Sequence, residues 1–127
     1  MREITTHHTN EVNKALVIKA IDHGGEPVAY RVETDPLPTL PGKVSVELKF
    51  QHGPIKEVGV NGITNEVCAA IIIDRLEYFQ STKHACGENE RALAHFQAGL
   101  LELESRTSRR TAEGVEGTHE LDKQHGL

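Results

Sequence analysis

The chain has 127 residues, 37% of them hydrophobic, 26% charged and only 4% aromatic, with no tryptophan. One-domain length and near-average charge content argue against wholesale disorder, and a formal net charge of -5 argues against general binding of duplex nucleic acid. The longest apolar run, VCAAIII from Val67 to Ile73, falls far short of the roughly 20 residues that span a bilayer, so no membrane partner is expected.

So lean a supply of large apolar side chains implies a modest core that shares surface with another copy, and a homo-oligomer is expected. Cys68 and Cys86 form no CxxC and no disulfide framework, which fits a reducing compartment. The opening stretch MREITTHHTNEVNK has no apolar core of the secretory kind, so a cytoplasmic setting is expected.

The pattern predicts an α+β fold in a single domain over 1–127. A small antiparallel sheet spans 11–60, a long antiparallel helical hairpin with a fold-back tail spans 61–118, and a mobile C-terminus spans 119–127. Residues 1–10 are polar and expected to fray. The branched run from Val12 to Ile21 reads as a strand, and Gly24-Gly25 supplies the positive φ of a tight hairpin. The returning strand is Pro27–Glu33, with Val28, Tyr30 and Val32 on one face. Pro36, Pro38 and Pro41 then make a loop along a sheet edge, because proline donates no ladder hydrogen bond. From Lys43 to Gln51, Val44, Val46, Leu48 and Phe50 alternate with polar residues, which predicts a strand with one buried face. A fourth strand is expected at Ile55–Val60.

At Asn61-Gly62 the hydrophobic period changes. Thr64 or Asn65 can cap a helix running to Gln80, apolar over a wide arc at Val67, Ala70, Ile71, Ile72, Leu76 and Phe79. An arc that broad is expected to meet the sheet on one side and a helix on the other. A polar link at Ser81–Gly87 leads into a second helix, Glu88–Arg109, with a stripe at Leu93, Phe96, Leu100 and Leu103. Gly99 lies inside it and suggests a close backbone approach. Gly114 and Gly117 end that helix and let the tail fold back.

No GxSxG, HExxH or Walker loop occurs, and none of the eight histidines sits at a ligand spacing beside a third ligand. No catalytic residue, metal or cofactor is therefore expected. SRTSRRT concentrates Arg106, Arg109 and Arg110 with no acid among them. Such a cluster is either a solvated helix end that complements the dipole or a site for a small anion. Phe79 is either packing or a platform for a purine, and Asn89 either a cap or part of an anion site at a helix N-terminus. Taken one at a time, the structural alternative is the better supported for each.

The succession FQHGPIKEVGVNGITNE, IIIDRLEYFQ, ACGENERAL and RTSRRTAEGVEGTHE resembles the type I Thoeris anti-defence proteins of phages, from Phe50 to Glu120. GVNG-x-TNE, IDRL-x-x-FQ and RRTAEGVEGT are specific in combination. The resemblance implies a phage protein of the host cytoplasm that sequesters cyclic ADP-ribose isomers, the glycocyclic form among them, without cleaving them. It implies a sheet followed by a helical hairpin, assembled as dimers or as hexamers built from three dimers. It places Phe79 against the adenine, Asn89 on the sugar–phosphate and Arg106 on the pyrophosphate, with Arg109, Arg110 and Thr118 as further contacts. The hairpin also resembles the anti-CBASS sponge family, which brings in cyclic di- or trinucleotides as a second ligand class in separate pockets. The chain departs from the family pattern at Gly87, where a basic residue is expected, and in ALAHFQAGL. Two other classes stay open: an oligomerisation adaptor with no nucleotide ligand, and a single-strand nucleic-acid binder working through the arginine cluster.

Overall fold

A computed structural model of the chain describes residues 1–34 and 41–122. Most of the proline loop and the last five positions of the expected mobile C-terminus lie outside the described residues. The fold is α+β and divides into two compact units, Met1–His52 and Gly53–Leu127.

The first unit is a four-stranded antiparallel sheet in the order β1-β2-β3-β4, formed by β1 (Arg2–Ile4), β2 (Leu16–His23), β3 (Glu26–Thr34) and β4 (Ser45–Lys49). A short helix, α1 (Glu11–Ala15), precedes β2. Gly24 and Gly25, with φ of 61° and 86°, form the two-residue loop between the His23–Glu26 pair. Two positive φ values in succession suit the right-handed twist of the flanking strands, which only glycine supplies without strain. The registers Ala20↔Tyr30, Ile18↔Val32, Tyr30↔Leu48 and Val32↔Val46 line these apolar side chains on one face of the sheet. Tyr30 meets Phe50 edge-on at 5.5 Å between ring centroids. The tightest positions are small: Ala20 is fully buried, and Ala15 and Ala29 nearly so.

Three expectations are corrected in this unit. The N-terminus does not fray, because Glu3 pairs with Lys19 and Ile4 with Ile18, making 2–4 the fourth strand. The strand expected from Val12 begins only at Leu16. Before it, the Asn10 side chain accepts from the Asn13 N–H at 2.8 Å and caps one helical turn with Glu11 at its start and Lys14 at its end. The apolar face expected along this segment is only partly buried: Val44 and Val46 are 41% and 44% exposed, while Leu48 and Phe50 are half-buried. Among the described residues β4 is the edge of the sheet, with a neighbour on one side alone.

The second unit is helical: α2 (Ile55–Val58), α3 (Asn65–Gln80) and α4 (Gly87–Ala112). The strand expected at Ile55–Val60 is instead the single turn α2. Pro54 caps its start, Gly59 ends it at φ 77°, and the apolar Ile55 and Val58 are three apart, a helical spacing. α3 and α4 pack as the expected hairpin. Ile73 is the buried residue of α3, whereas Val67, Ile71 and Ile72 of the expected arc are exposed, Ile71 to 56%. One partner helix covers one face, and the arc is wider than that. Gly99 marks no close approach among the described residues, since a Cβ there would meet nothing within 4 Å.

Candidate ligand-binding site

All six candidate residues belong to the helical unit, so its geometry decides which of them meet. At the base of the hairpin the Thr64 side chain accepts from the Val67 N–H at 3.2 Å and starts α3. At the tip, the Ser81 and Thr82 hydroxyls donate to the carbonyls of Tyr78 and Phe79, at 2.6 and 2.7 Å. The Gln80 amide then closes the link from both sides, donating to the Cys86 carbonyl and accepting from the Cys86 N–H, each at 3.1 Å. These bonds satisfy two of the orphan carbonyls in the last turn of α3 and fasten the link that leads into α4.

Phe79 and Asn89 flank this tip. Phe79 is half-buried, with the Arg75 guanidinium 5.5 Å from its ring centroid and Tyr78 edge-on at 5.2 Å. A cation at that distance is drawn to the ring's negative face, so Arg75 covers one side of Phe79. The four-residue spacing of Arg75 and Phe79 on α3 is the sequence signal that places the guanidinium there. Asn89 is not the cap of α4. That position falls to Cys86, whose side chain makes no capping bond. Asn89 instead lies in the first helical turn, next to N–H groups that Cys86 leaves uncapped. Gly87 stands where the resemblance expects a basic residue, yet a Cβ there would lie 3.2 Å from Arg91 Nη1. The cation reaches that spot from one turn further along.

The other four candidates sit at the opposite end. Asn89 and Arg106 are seventeen residues apart on one helix, which is about 26 Å along its axis. The chain alone therefore brings Phe79 and Asn89 to one end of the hairpin and the arginines to the other.

At that far end α4 outruns α3, and the tail from Glu113 folds back over it through Gly114 and Gly117, at φ 75° and 78°. Arg110 organises the fold-back. Its Nε donates to Glu116 Oε2 at 3.1 Å, Nη1 to the Glu120 carbonyl and Asp122 Oδ2 at 3.1 and 3.3 Å, and Nη2 to the Val115 and Thr118 carbonyls at 2.9 and 3.3 Å. All five guanidinium N–H groups are thereby used, which leaves Arg110 no donor for a ligand while the tail is in place. Arg109 Nη1 lies 2.6 Å from the other oxygen of the same carboxylate, Asp122 Oδ1. The Thr118 hydroxyl is also engaged, donating to the Val115 carbonyl and accepting from the Glu120 N–H. Arg106, by contrast, is exposed and forms no ion pair among the described residues. Asp122 and Glu116 were missed from sequence, where a tail acid gives no sign of its partner. α2 closes this end, its Lys56 N–H donating to the Gly117 carbonyl at 3.0 Å and its Glu57 pairing with His119.

Over 79 residues the chain is 44% identical to Thoeris anti-defense 1 of Bacillus phage SBSphiJ7. The aligned stretch is 62% of this chain and 55% of that protein, so the chain spans about half the length of its relative. No protein-family model matches the chain. Among the described residues, no helix is long and apolar enough to cross a membrane, and no group of His, Cys, Asp and Glu is arranged to hold a metal ion.

Proposed function

We propose that the chain is a phage anti-defence sponge that binds cyclic ADP-ribose isomers, the glycocyclic form included, and sequesters them uncleaved in the host cytoplasm. The likeness to Thoeris anti-defense 1 carries this reading. Two features of the helical unit support it. Arg106 is an exposed cation without an ion pair among the described residues, and Phe79 is a half-buried ring with a guanidinium over one face. In this proposal the adenine stacks on Phe79 opposite Arg75, Asn89 holds the sugar–phosphate and Arg106 pairs with the pyrophosphate.

The separation of about 26 Å along α4 requires the two halves of such a site to come from different copies. Two hairpins side by side in opposite directions would set the tip of one against the arginine end of the other. The exposed apolar residues of α3, Val67, Ile71 and Tyr78, offer the surface for such pairing. The proposed assembly is a dimer, or a hexamer of three dimers. Cyclic di- or trinucleotides would be a second ligand class, with Arg91 supplying the charge that Gly87 lacks.

No side chain in this scheme breaks a bond. Protein incubated with the glycocyclic isomer and then heated should release the ligand with unchanged mass. Release of ADP-ribose would make the protein an enzyme and end the sponge proposal. The exposed face of α3 also favours a second reading, an oligomerisation adaptor with no nucleotide ligand. Calorimetry with the messenger separates the two, since an adaptor gives no binding heat.

A further inference from the structure

The arginine end of α4 holds an anion already, and the anion is the chain's own. The two oxygens of Asp122 are divided between two guanidinium groups, Oδ1 on Arg109 Nη1 at 2.6 Å and Oδ2 on Arg110 Nη1 at 3.3 Å. Arg110 hydrogen-bonds its oxygen, whereas Arg109 Nη1 is close enough for an ion pair but makes no hydrogen bond, so the carboxylate leaves a buried donor unused. Two guanidinium groups facing separate oxygens of one anion is also how arginines take a phosphate. We infer that Asp122 is a removable latch on a two-arginine anion site, and that a phosphate-type ligand takes the place of its carboxylate.

The way the tail is fastened makes release local. The remaining four donors of Arg110 go to Glu116, Val115, Thr118 and Glu120, all upstream of the latch. Moving the Asp122 carboxylate aside leaves those bonds standing and exposes Arg109 Nη1 and one N–H of Arg110. Leu121 is 70% exposed, so lifting it gives up little apolar contact. Asp122, next to it, has a side chain only 5% exposed and faces both guanidinium groups. Arg106 lies three and four residues before Arg109 and Arg110, on the same side of α4. With the latch open, three cations line one helix face within about one turn, a spacing suited to a diphosphate more than to a lone carboxylate.

The inference rests on the proposed messenger site only for the natural ligand; the anion site is tested with inorganic pyrophosphate, which carries neither purine nor sugar. The full-length Asp122→Asn variant should bind pyrophosphate about tenfold more tightly than the parent if the latch is closed nine-tenths of the time. Adding Arg109→Ala should abolish that gain. Equal affinity in parent and Asp122→Asn, with unchanged thermal midpoints, overturns the latch. A second measurement needs no variant. Saturating the parent with pyrophosphate should speed amide exchange at Leu121–Asp122 while Val115 and Thr118 keep their protection. Unchanged exchange at Leu121–Asp122 refutes the inference even if the variant misfolds. A messenger that fails to bind, with pyrophosphate behaving as expected, would sink the sponge proposal and leave the latch intact.

Discussion

Arg110 and Asp122, twelve residues apart in the chain, form an ion pair in which the side chains are only 8% and 5% exposed. Arg110→Ala would remove the hydrogen bonds to that carboxylate, to Glu116 and to the Val115, Thr118 and Glu120 carbonyls. Removing one partner of a buried pair typically costs about 3–5 kcal/mol. The expected result is a matching drop in unfolding free energy by urea titration. Arg110→Lys should recover little, because three donors on one nitrogen cannot replace a five-donor fork.

Arg106→Ala should leave stability within about 0.5 kcal/mol, as expected of an exposed side chain away from any network. On the sponge proposal it should weaken messenger binding by roughly ten- to a hundredfold, the worth of a charge-assisted hydrogen bond. Calorimetry beside a melting curve reads both effects. A loss of stability without a loss of binding would assign Arg106 to the fold.

Two glycines should respond in opposite directions. Gly117 has φ 78°, and a Cβ there would stand 3.0 Å from Lys56 Cγ, so Gly117→Ala should cost about 1–2 kcal/mol through the backbone alone. Gly99 lies inside α4 with nothing within 4 Å, and Gly99→Ala should stabilise by up to about 1 kcal/mol. A destabilised Gly99→Ala protein would show that another copy packs against this point.

Ile71 is 56% exposed on the outer face of α3. Ile71→Glu should therefore be tolerated by the isolated chain. If that face joins two copies, light scattering will show the variant dissociated to monomer. A parent protein already monomeric at working concentration would remove the shared-site geometry.

Asp22 meets Arg2 at 3.0 and 3.2 Å, and the hydrogen bond from that guanidinium holds its carboxyl below the ordinary carboxylate range, while Arg2 is raised in turn. A lowered folded-state pKa contributes stability that is present above the ordinary carboxylate pKa and lost as pH falls through the lowered one. The β1–β2 pairing should therefore loosen on the acid side. Arg2→Ala should move the Asp22 titration, followed by NMR, back towards its ordinary value. No movement would mean that the pair does not form in solution.

The parts of the fold visible in the sequence were those that local chemistry decides. Gly24-Gly25 specified its hairpin, Thr64 started α3, the Leu93–Leu103 stripe marked α4, and Gly114 and Gly117 turned the tail. The failures came where a short apolar run carries no length to arbitrate between periods. Ile55 and Val58 fit either state until Pro54 and Gly59 are weighed, and Val12 fell into a turn that Asn10 caps.

The candidate site divided along the same line. Composition and motif alone determined that the chain carries an arginine cluster and the aromatic pair Tyr78-Phe79, because those depend on which residues are present. Tertiary structure decided what each arginine is free to do. Arg106, Arg109 and Arg110 are equivalent as letters, yet one is exposed, one touches a carboxylate and one is spent on five bonds. The acid responsible, Asp122, reaches them only because two glycines at positive φ reverse the tail, and no sequence periodicity records a contact made by reversal.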